Sequence, residues 1–270
     1  MSFVKSGLRN NAIGYQLSNM SYIKFLGTAG ARFVMIRQLR SSAGIWISHK
    51  STNVFIDPGP GALVRCSSSR PKLDPANLDA IILTHKHLDH AGDINAMIEA
   101  MTEGGFKKRG ILFMPQDALG QDGVIFSYLK DFTEKRVILK KGNFTAGDVE
   151  FEVPIKNRHP VETYGLKFKL GKEIVSFVSD TDYFDDLIPA YKDSTILILN
   201  VVFYQKRDEI EHLCLEEALE IIKKIKPKKA ILTHFGMTLL QAKPHLLEEK
   251  IRESLKMDIA LAYDGMKIEL

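Results

Sequence analysis

Two widely separated stretches of the chain share one construction. Ala80-Ile81-Ile82-Leu83-Thr84 and Ala230-Ile231-Leu232-Thr233 are continuous apolar runs, and each ends directly in a histidine, His85 and His234. Short apolar runs of this kind read as strands covered on both faces. A covered strand that ends in an ionisable group must supply that group with a partner, because an unpaired buried polar group costs on the order of a few kcal/mol. The first run meets the problem in concentrated form, since three histidines and an aspartate fall within the six residues from His85 to His90. His85 and His87 are two apart, so in extended backbone their rings point the same way and suit one metal ion. Asp89 and His90 follow where the chain turns toward a helix, and a bend there directs them to a second ion close by. The competing reading, a polar helix start with Asp89 serving the dipole, does not account for three histidines. Two sheets, each presenting histidine at a strand end, would bring those ends to one shared edge.

The surrounding pattern is α/β. Tyr22–Leu26, Ile45–Ser48 and Asn53–Ile56 read as strands punctuated by Gly27 and by Asp57-Pro58-Gly59-Pro60-Gly61. Leu78–Thr84 is a strand, Ile94–Met101 has helical period, and Ile111–Met114 is again a strand. From Arg136 to Phe177 alternation predicts strands with one wet face, and Ser194–Val202 is a further buried strand. Leu215, Ala218, Leu219, Ile222 and Ile225 recur at helical spacing, and Lys223–Lys229 is the solvated end of that helix. Gln241–Lys256 is expected to be helical, and Met257–Leu270 to be a strand pair turning at Asp264-Gly265. Residues 1–19 look unlike the rest, which predicts an N-terminal extension over 1–19 and one domain over 20–270.

Size and composition limit the alternatives. With 270 residues, 45% hydrophobic and 26% charged, the chain can bury one large core and would be cramped as two similar domains. No run approaches the roughly 20 apolar residues of a membrane helix, and the first twenty residues lack the apolar segment of a secretory signal; a cytoplasmic location with no membrane contact is expected. Cys66 and Cys214 have no CxxC spacing and are read as reduced packing residues. The net charge is +4, and the first 56 residues carry Lys5, Arg9, Lys24, Arg32, Arg37, Arg40 and Lys50 without one acidic residue. That asymmetry marks either an anion-facing surface or a solvated edge. No basic stripe with interleaved aromatics is visible, so nucleic acid is not the expected partner. A homodimer is compatible with the sequence.

Thr84-His85-Lys86-His87-Leu88-Asp89-His90 resembles the HxHxDH signature of the metallo-β-lactamase-fold hydrolases. Further motifs follow in the family's order: Asp57 in FIDPGPG, His159 in NRHPVETYG, Asp180 in FVSDTD and His234 in ILTHFG. The resemblance covers about residue 20 to the C-terminus. It implies an α/β fold, an αββα four-layer sandwich in which two packed mixed β-sheets are flanked by helices. It also implies two divalent metal ions, with His85, His87 and His159 on one, Asp89, His90 and His234 on the other, and Asp180 bridging. Asp57 then stands behind the ligands, accepting a ligand histidine's free N–H; a turn-forming aspartate before Pro-Gly is the plainer reading of the same residue. Zinc suits this His/Asp set, with manganese, iron or nickel as alternatives. Such a pair activates a bridging water as hydroxide and holds the attacked oxygen and the leaving group.

Within the family the chain is most similar to the ribonuclease Z and bacterial phosphodiesterase branch. His212, just before the helix leading to His234, resembles that branch's extra histidine, which would serve the leaving group. A helix-start histidine without chemical duty is the alternative, and Leu213-Cys214 departs from the small hydroxyl residues usual beside it. The catalytic candidates are thus Asp89, Asp180 and His212, while His49 and His245 are read as surface residues and Lys86 as a solvent-facing spacer. FLGTAG with Arg32, Arg37 and Arg40 reads either as a phosphate-receiving turn or as a tight strand turn. Only 20 residues separate His159 from Asp180, where ribonuclease Z enzymes carry a long tRNA-gripping arm. The expected substrate is therefore a small anionic one, a small or cyclic phosphodiester. Ribonuclease Z-like tRNA 3′ cleavage, lactone or thioester hydrolysis, and a metal-dependent binding protein are the alternatives. The interval Gly104–Phe144 is expected to wall the pocket.

Overall fold

The computed structural model describes residues 21–42 and 44–270; the extension expected over residues 1–19 lies outside them. The first sheet is built from β1 (Tyr22–Phe25), β2 (Ile45–His49), β3 (Thr52–Ile56), β4 (Ala80–Ile82), β5 (Ile111–Met114) and β6 (Lys135–Ile138). The second holds β7 (Gly142–Ala146), β8 (Val149–Val153), β9 (Leu166–Leu170), β10 (Glu173–Val178), β11 (Ile196–Asn200), β12 (Lys229–Thr233) and β13 (Ile259–Leu261). The last strand, β14 (Lys267–Glu269), returns to the edge of the first sheet, giving the orders β14-β1-β2-β3-β4-β5-β6 and β13-β12-β11-β10-β9-β8-β7.

Both sheets are mixed. Strands β3 to β6 and β10 to β13 run parallel to their neighbours, and the rest pair antiparallel. Parallel neighbours need crossovers, which the helices supply. In chain order these are α1 (Ala31–Ile36), α2 (Ala62–Ser68), α3 (Leu88–Ala91), α4 (Ile94–Met101), α5 (Leu187–Tyr191), α6 (Leu215–Ile225), α7 (Met237–Gln241) and α8 (Pro244–Leu255). The strand period of two decides the layering: Ile82 and Ile56 join the core between the sheets, with Phe168, Phe177 and Ile198, whereas Ile81 and Phe55 pack outward with Cys66, Met97 and Met101. The far side repeats the scheme, with Leu197, Leu199 and Leu232 beneath Ala218, Ile222 and Ile251. The result is the expected four-layer αββα sandwich. Cys66 and Cys214 are free and buried, as expected.

Three sequence readings are corrected. The C-terminal strands do not form a pair with each other, because β13 pairs with β12 and β14 with β1, so the final segment crosses between sheets. Asp264 secures the crossing: its carboxylate accepts the N–H and hydroxyl of Thr28 at 3.0 and 2.7 Å and the N–H of Ser41 at 2.8 Å. The expected helix over Gln241–Lys256 is split, since Lys243 adopts φ 56° and α8 starts afresh at Pro244, a residue suited to a first helical position. His49, read as a surface residue, is 5% exposed and its Nδ1 lies 2.7 Å from Ser21 Oγ, because the last position of β2 turns inward. His245 is exposed, as expected.

Candidate metal centre

The parallel strands β3, β4, β10 and β12 all end at one edge of the sandwich, and each is followed within a few residues by an ionisable side chain: Asp57, His85, Asp180 and His234. Two of these depart from extended backbone in the same way. Asp57 has φ 53° and His234 φ 62°, left-handed conformations that cost a non-glycine residue about 1–3 kcal/mol. The bend turns both side chains back over the strand ends. Glycine makes room beside them: a Cβ on Gly30 would come 2.0 Å from the carbonyl oxygen of His234, and one on Gly59 the same distance from that of Asp89.

The structure brings the sequence-predicted residues together as two groups. His85, His87 and His159 each offer a ligand atom within 4.8 Å of the others, and so do Asp89, His90 and His234. Asp180 lies between the groups; its Oδ2 is 3.7 Å from His85 Nε2, 3.4 Å from His90 Nε2 and 3.3 Å from His234 Nε2. Within the groups ring nitrogens face one another, His87 Nδ1 to His159 Nε2 at 3.0 Å and His90 Nε2 to His234 Nε2 at 3.2 Å. Two nitrogens held about 2.1 Å from one tetrahedral ion stand about 3.4 Å apart, so these spacings fit a shared cation. His85 Nε2 is buried without any hydrogen-bond partner, an orphan that a metal ion would satisfy. The donor set of imidazoles and carboxylates fits a pair of divalent ions.

Groups behind these residues fix their orientation. Asp57 accepts from His90 Nδ1 at 2.9 Å, leaving Nε2 to face inward, and His159 Nδ1 donates to the Glu211 carbonyl at 3.0 Å. Asn200 donates to Asp180 Oδ1 at 2.7 Å, directing Oδ2 at the histidines. The electrostatics follow burial and charge. Burial first, and then His90, hold His85 well below the usual histidine range. At His90 burial opposes ionisation, but Asp180, Asp57 and Asp89 outweigh it and hold the ring well above that range. Burial also opposes the charge on Asp180, which His234, His90 and His212 nonetheless keep well below the carboxylate range.

His212 sits 3.6 Å, through Nδ1, from Asp180 Oδ2, and its ring packs 5.0 Å from that of His159. Burial lowers it to about 4 against the pull of Asp180, so near neutrality it is a neutral ring with one N–H to give. Other expectations fare differently. Arg40 is spent on structure, donating to Thr28 Oγ1 at 2.9 Å and to the Ala262 carbonyl at 2.8 Å, and FLGTAG leads into α1 rather than a plain strand turn. Lys86 is not a solvent-facing spacer, since its ammonium lies 3.7 Å from Asp117 Oδ2 with the side chain 23% exposed. From the Gly104–Phe144 interval, Asp117 reaches Lys86, which lies between His85 and His87. Asn200 and Asp117 were missed in the sequence, because a strand-end asparagine and a loop aspartate carry no spacing signal.

This fold and this convergence of candidate ligands define a metallo-hydrolase. The chain belongs to the beta-lactamase superfamily, whose family description, Beta-lactamase superfamily domain, matches residues 52–235. Among relatives, MJ1374 of Methanocaldococcus jannaschii is 29% identical over 92% of this chain and 94% of its own length. The "Probable metallo-hydrolase YhfI" of Bacillus subtilis is 28% identical over 83% of this chain and 88% of its own. The crystal structure of YhfI superposes with a TM-score of 0.77 at 23% identity, covering 93% of this chain and 100% of YhfI. A diphosphatase of the PhnP family superposes with a TM-score of 0.68 at 19% identity, over 93% of this chain and 97% of that one. Among the described residues no helix is long and apolar enough to cross a membrane.

Proposed function

We propose that the protein is a dinuclear metal-dependent phosphodiesterase acting on a small or cyclic phosphodiester. The observation that carries this reading is the position of Asp180 between two three-residue groups, with His212 on its remaining flank. In this reading His85, His87 and His159 would hold one ion, Asp89, His90 and His234 would hold the other, and Asp180, lying between the groups, would serve both. Zinc is the proposed metal. Two such ions supply, when bound, the charge that activates water and stabilises a phosphoryl group under attack.

The chain's own residues do the rest. Asp180, oriented by Asn200, and the carboxylate of Asp89 would balance the positive charge of the ions. His212 offers a hydrogen bond from its neutral-ring N–H to the leaving oxygen, stabilising the negative charge that builds there as the ester bond breaks. Small substrates are favoured by the His159–Asp180 interval, whose residues form the β9–β10 hairpin turning at Gly171, φ 65°, with no arm to grip an RNA. The shared fold with a PhnP-family diphosphatase agrees with phosphoryl chemistry.

The test is hydrolysis of bis-p-nitrophenyl phosphate by zinc-loaded protein containing about two ions per chain. Turnover is expected to vanish on chelation and return with zinc, and to fall more than about 100-fold in Asp180→Ala, beyond what loss of an outer partner brings. Metal-loaded protein that cleaves lactones or thioesters and no diester overturns the substrate class. Efficient removal of a precursor tRNA 3′ trailer overturns the small-substrate reading, and inertness toward all of these leaves a metal-dependent binding protein.

A further inference from the structure

The hydroxyl of Thr84 has three polar neighbours. Its Oγ1 lies 2.7 Å from Asp57 Oδ2, 3.1 Å from His85 Nδ1 and 2.8 Å from Ser179 Oγ. Thr84, His85 and Ser179 are wholly buried and Asp57 is 4% exposed, so no solvent competes for these bonds. A hydroxyl has one proton to give and two lone pairs with which to accept. Asp57 can only accept, and it already takes the Thr84 N–H on Oδ1 at 2.7 Å and the His90 ring N–H on Oδ2 at 2.9 Å. The Thr84 proton must therefore point at Asp57. Its two lone pairs then receive the Ser179 hydroxyl and the Nδ1–H of His85, and every donor in the group has one acceptor.

We infer that Thr84 is a positioning residue: its hydroxyl relays Asp57 to His85, holds the His85 proton on Nδ1, and so presents Nε2 as a lone pair toward Asp180. One carboxylate thereby orients a histidine of each group, His90 directly and His85 through a single hydroxyl. His85 Nε2 has no hydrogen-bond partner, so Nδ1 is the ring nitrogen whose contact can fix the tautomer. Among the described residues, Thr84 Oγ1 is the hydrogen-bond partner of His85 Nδ1. This inference rests on the reading of His85 as a metal ligand.

Two measurements test it. In the metal-free wild-type protein, long-range nitrogen–proton NMR correlations of the imidazoles are expected to give His85 the Nδ1–H tautomer; an Nε2–H tautomer overturns the relay without any variant having to fold. Zinc affinity is then compared by chelator competition in wild-type protein, Thr84→Val, Thr84→Ser and His85→Ala. Thr84→Val is isosteric and is expected to weaken the tighter-held pair of ions at one position by about 10–100-fold, the usual effect of losing a partner behind a metal ligand. Thr84→Ser restores the hydroxyl and is expected to restore affinity to within about 3-fold. If His85→Ala leaves zinc binding intact, the metal-site reading itself fails; if His85→Ala loses an ion while Thr84→Val binds like wild type, the relay alone is wrong.

Discussion

Asp117 and Glu162 each accept the other's backbone N–H: the Glu162 amide donates to Asp117 Oδ2 at 3.1 Å, and the Asp117 amide to Glu162 Oε2 at 3.3 Å. The exchange ties the turn after β5 to the loop that carries His159. Tyr164 adds a hydroxyl bond to Glu162 Oε1 at 2.6 Å, and Lys86, between His85 and His87, pairs with Asp117. Asp117→Ala removes both the acceptor of one amide and the anchor of Lys86. It is expected to destabilise the metal-free protein by about 1–3 kcal/mol, the cost of unpairing groups bonded to a charge. Lys86→Met should cost less than about 1 kcal/mol, since its ion pair is partly solvated. Urea unfolding of both variants checks the ranking; equal losses would show that the amide exchange carries no weight.

Asn200 holds Asp180 in place through one hydrogen bond, and both side chains are buried. Asn200→Ala leaves Asp180 Oδ1 without its donor and the carboxylate free to rotate. Zinc affinity is expected to drop about 10–100-fold while the fold persists. Asn200→Asp puts a second carboxylate against the first and is expected to do at least as much harm. Chelator competition with circular dichroism as a folding control measures both, and unchanged affinity in Asn200→Ala would rule out the orienting role.

His49 predicts a pH dependence remote from the candidate ligands. Burial first, then the neighbouring Lys50, depress its pKa below the ordinary value, with Asp148 opposing. The unfolded chain therefore binds a proton that the folded one resists, and stability falls as pH drops. The contribution is fully present above about 6.5, the unfolded value, and is lost as pH falls through the depressed folded value. Between pH 7.5 and 5.5 the metal-free wild-type protein should lose more unfolding free energy than His49→Gln. Equal losses in the two proteins would place the proton elsewhere.

Much of the site was legible because metal chemistry leaves local traces. His85, His87, Asp89 and His90 crowd one strand end and His234 follows another, so residue type and periodicity marked them, whereas His159 and Asp180 were legible only through the resemblance to the family's ordered motifs. Layered α/β packing was legible in part from strands covered on both faces, such as Ala80–Ile82 and Ile196–Asn200, which read as unbroken apolar runs, while the four-layer sandwich itself came from the family resemblance. What sequence reasoning missed depends on contacts between distant segments. The alternation of β13 and β14 suits one hairpin as well as two sheets, and only the pull of Asp264 on Thr28 and Ser41 decides between them. His49 ends a strand just as a surface histidine would, and nothing local says that Ser21 waits beside it. Lys86 looked like a spacer because its counter-charge, Asp117, lies 31 positions away.

The division of the candidate ligands between two sheets also orders events during folding. His85, His87, Asp89 and His90 follow β4 of the first sheet, whereas His159, Asp180 and His234 belong to the second, and each three-residue group draws on both. Neither sheet alone can close either coordination shell. Ion uptake at the proposed site would follow docking of the halves and lock the seam behind it. The bound pair would then act as a sentinel of assembly: a chain that has mispaired its sheets stays empty, and the first opening of the finished molecule at this edge releases its ions before the rest unfolds.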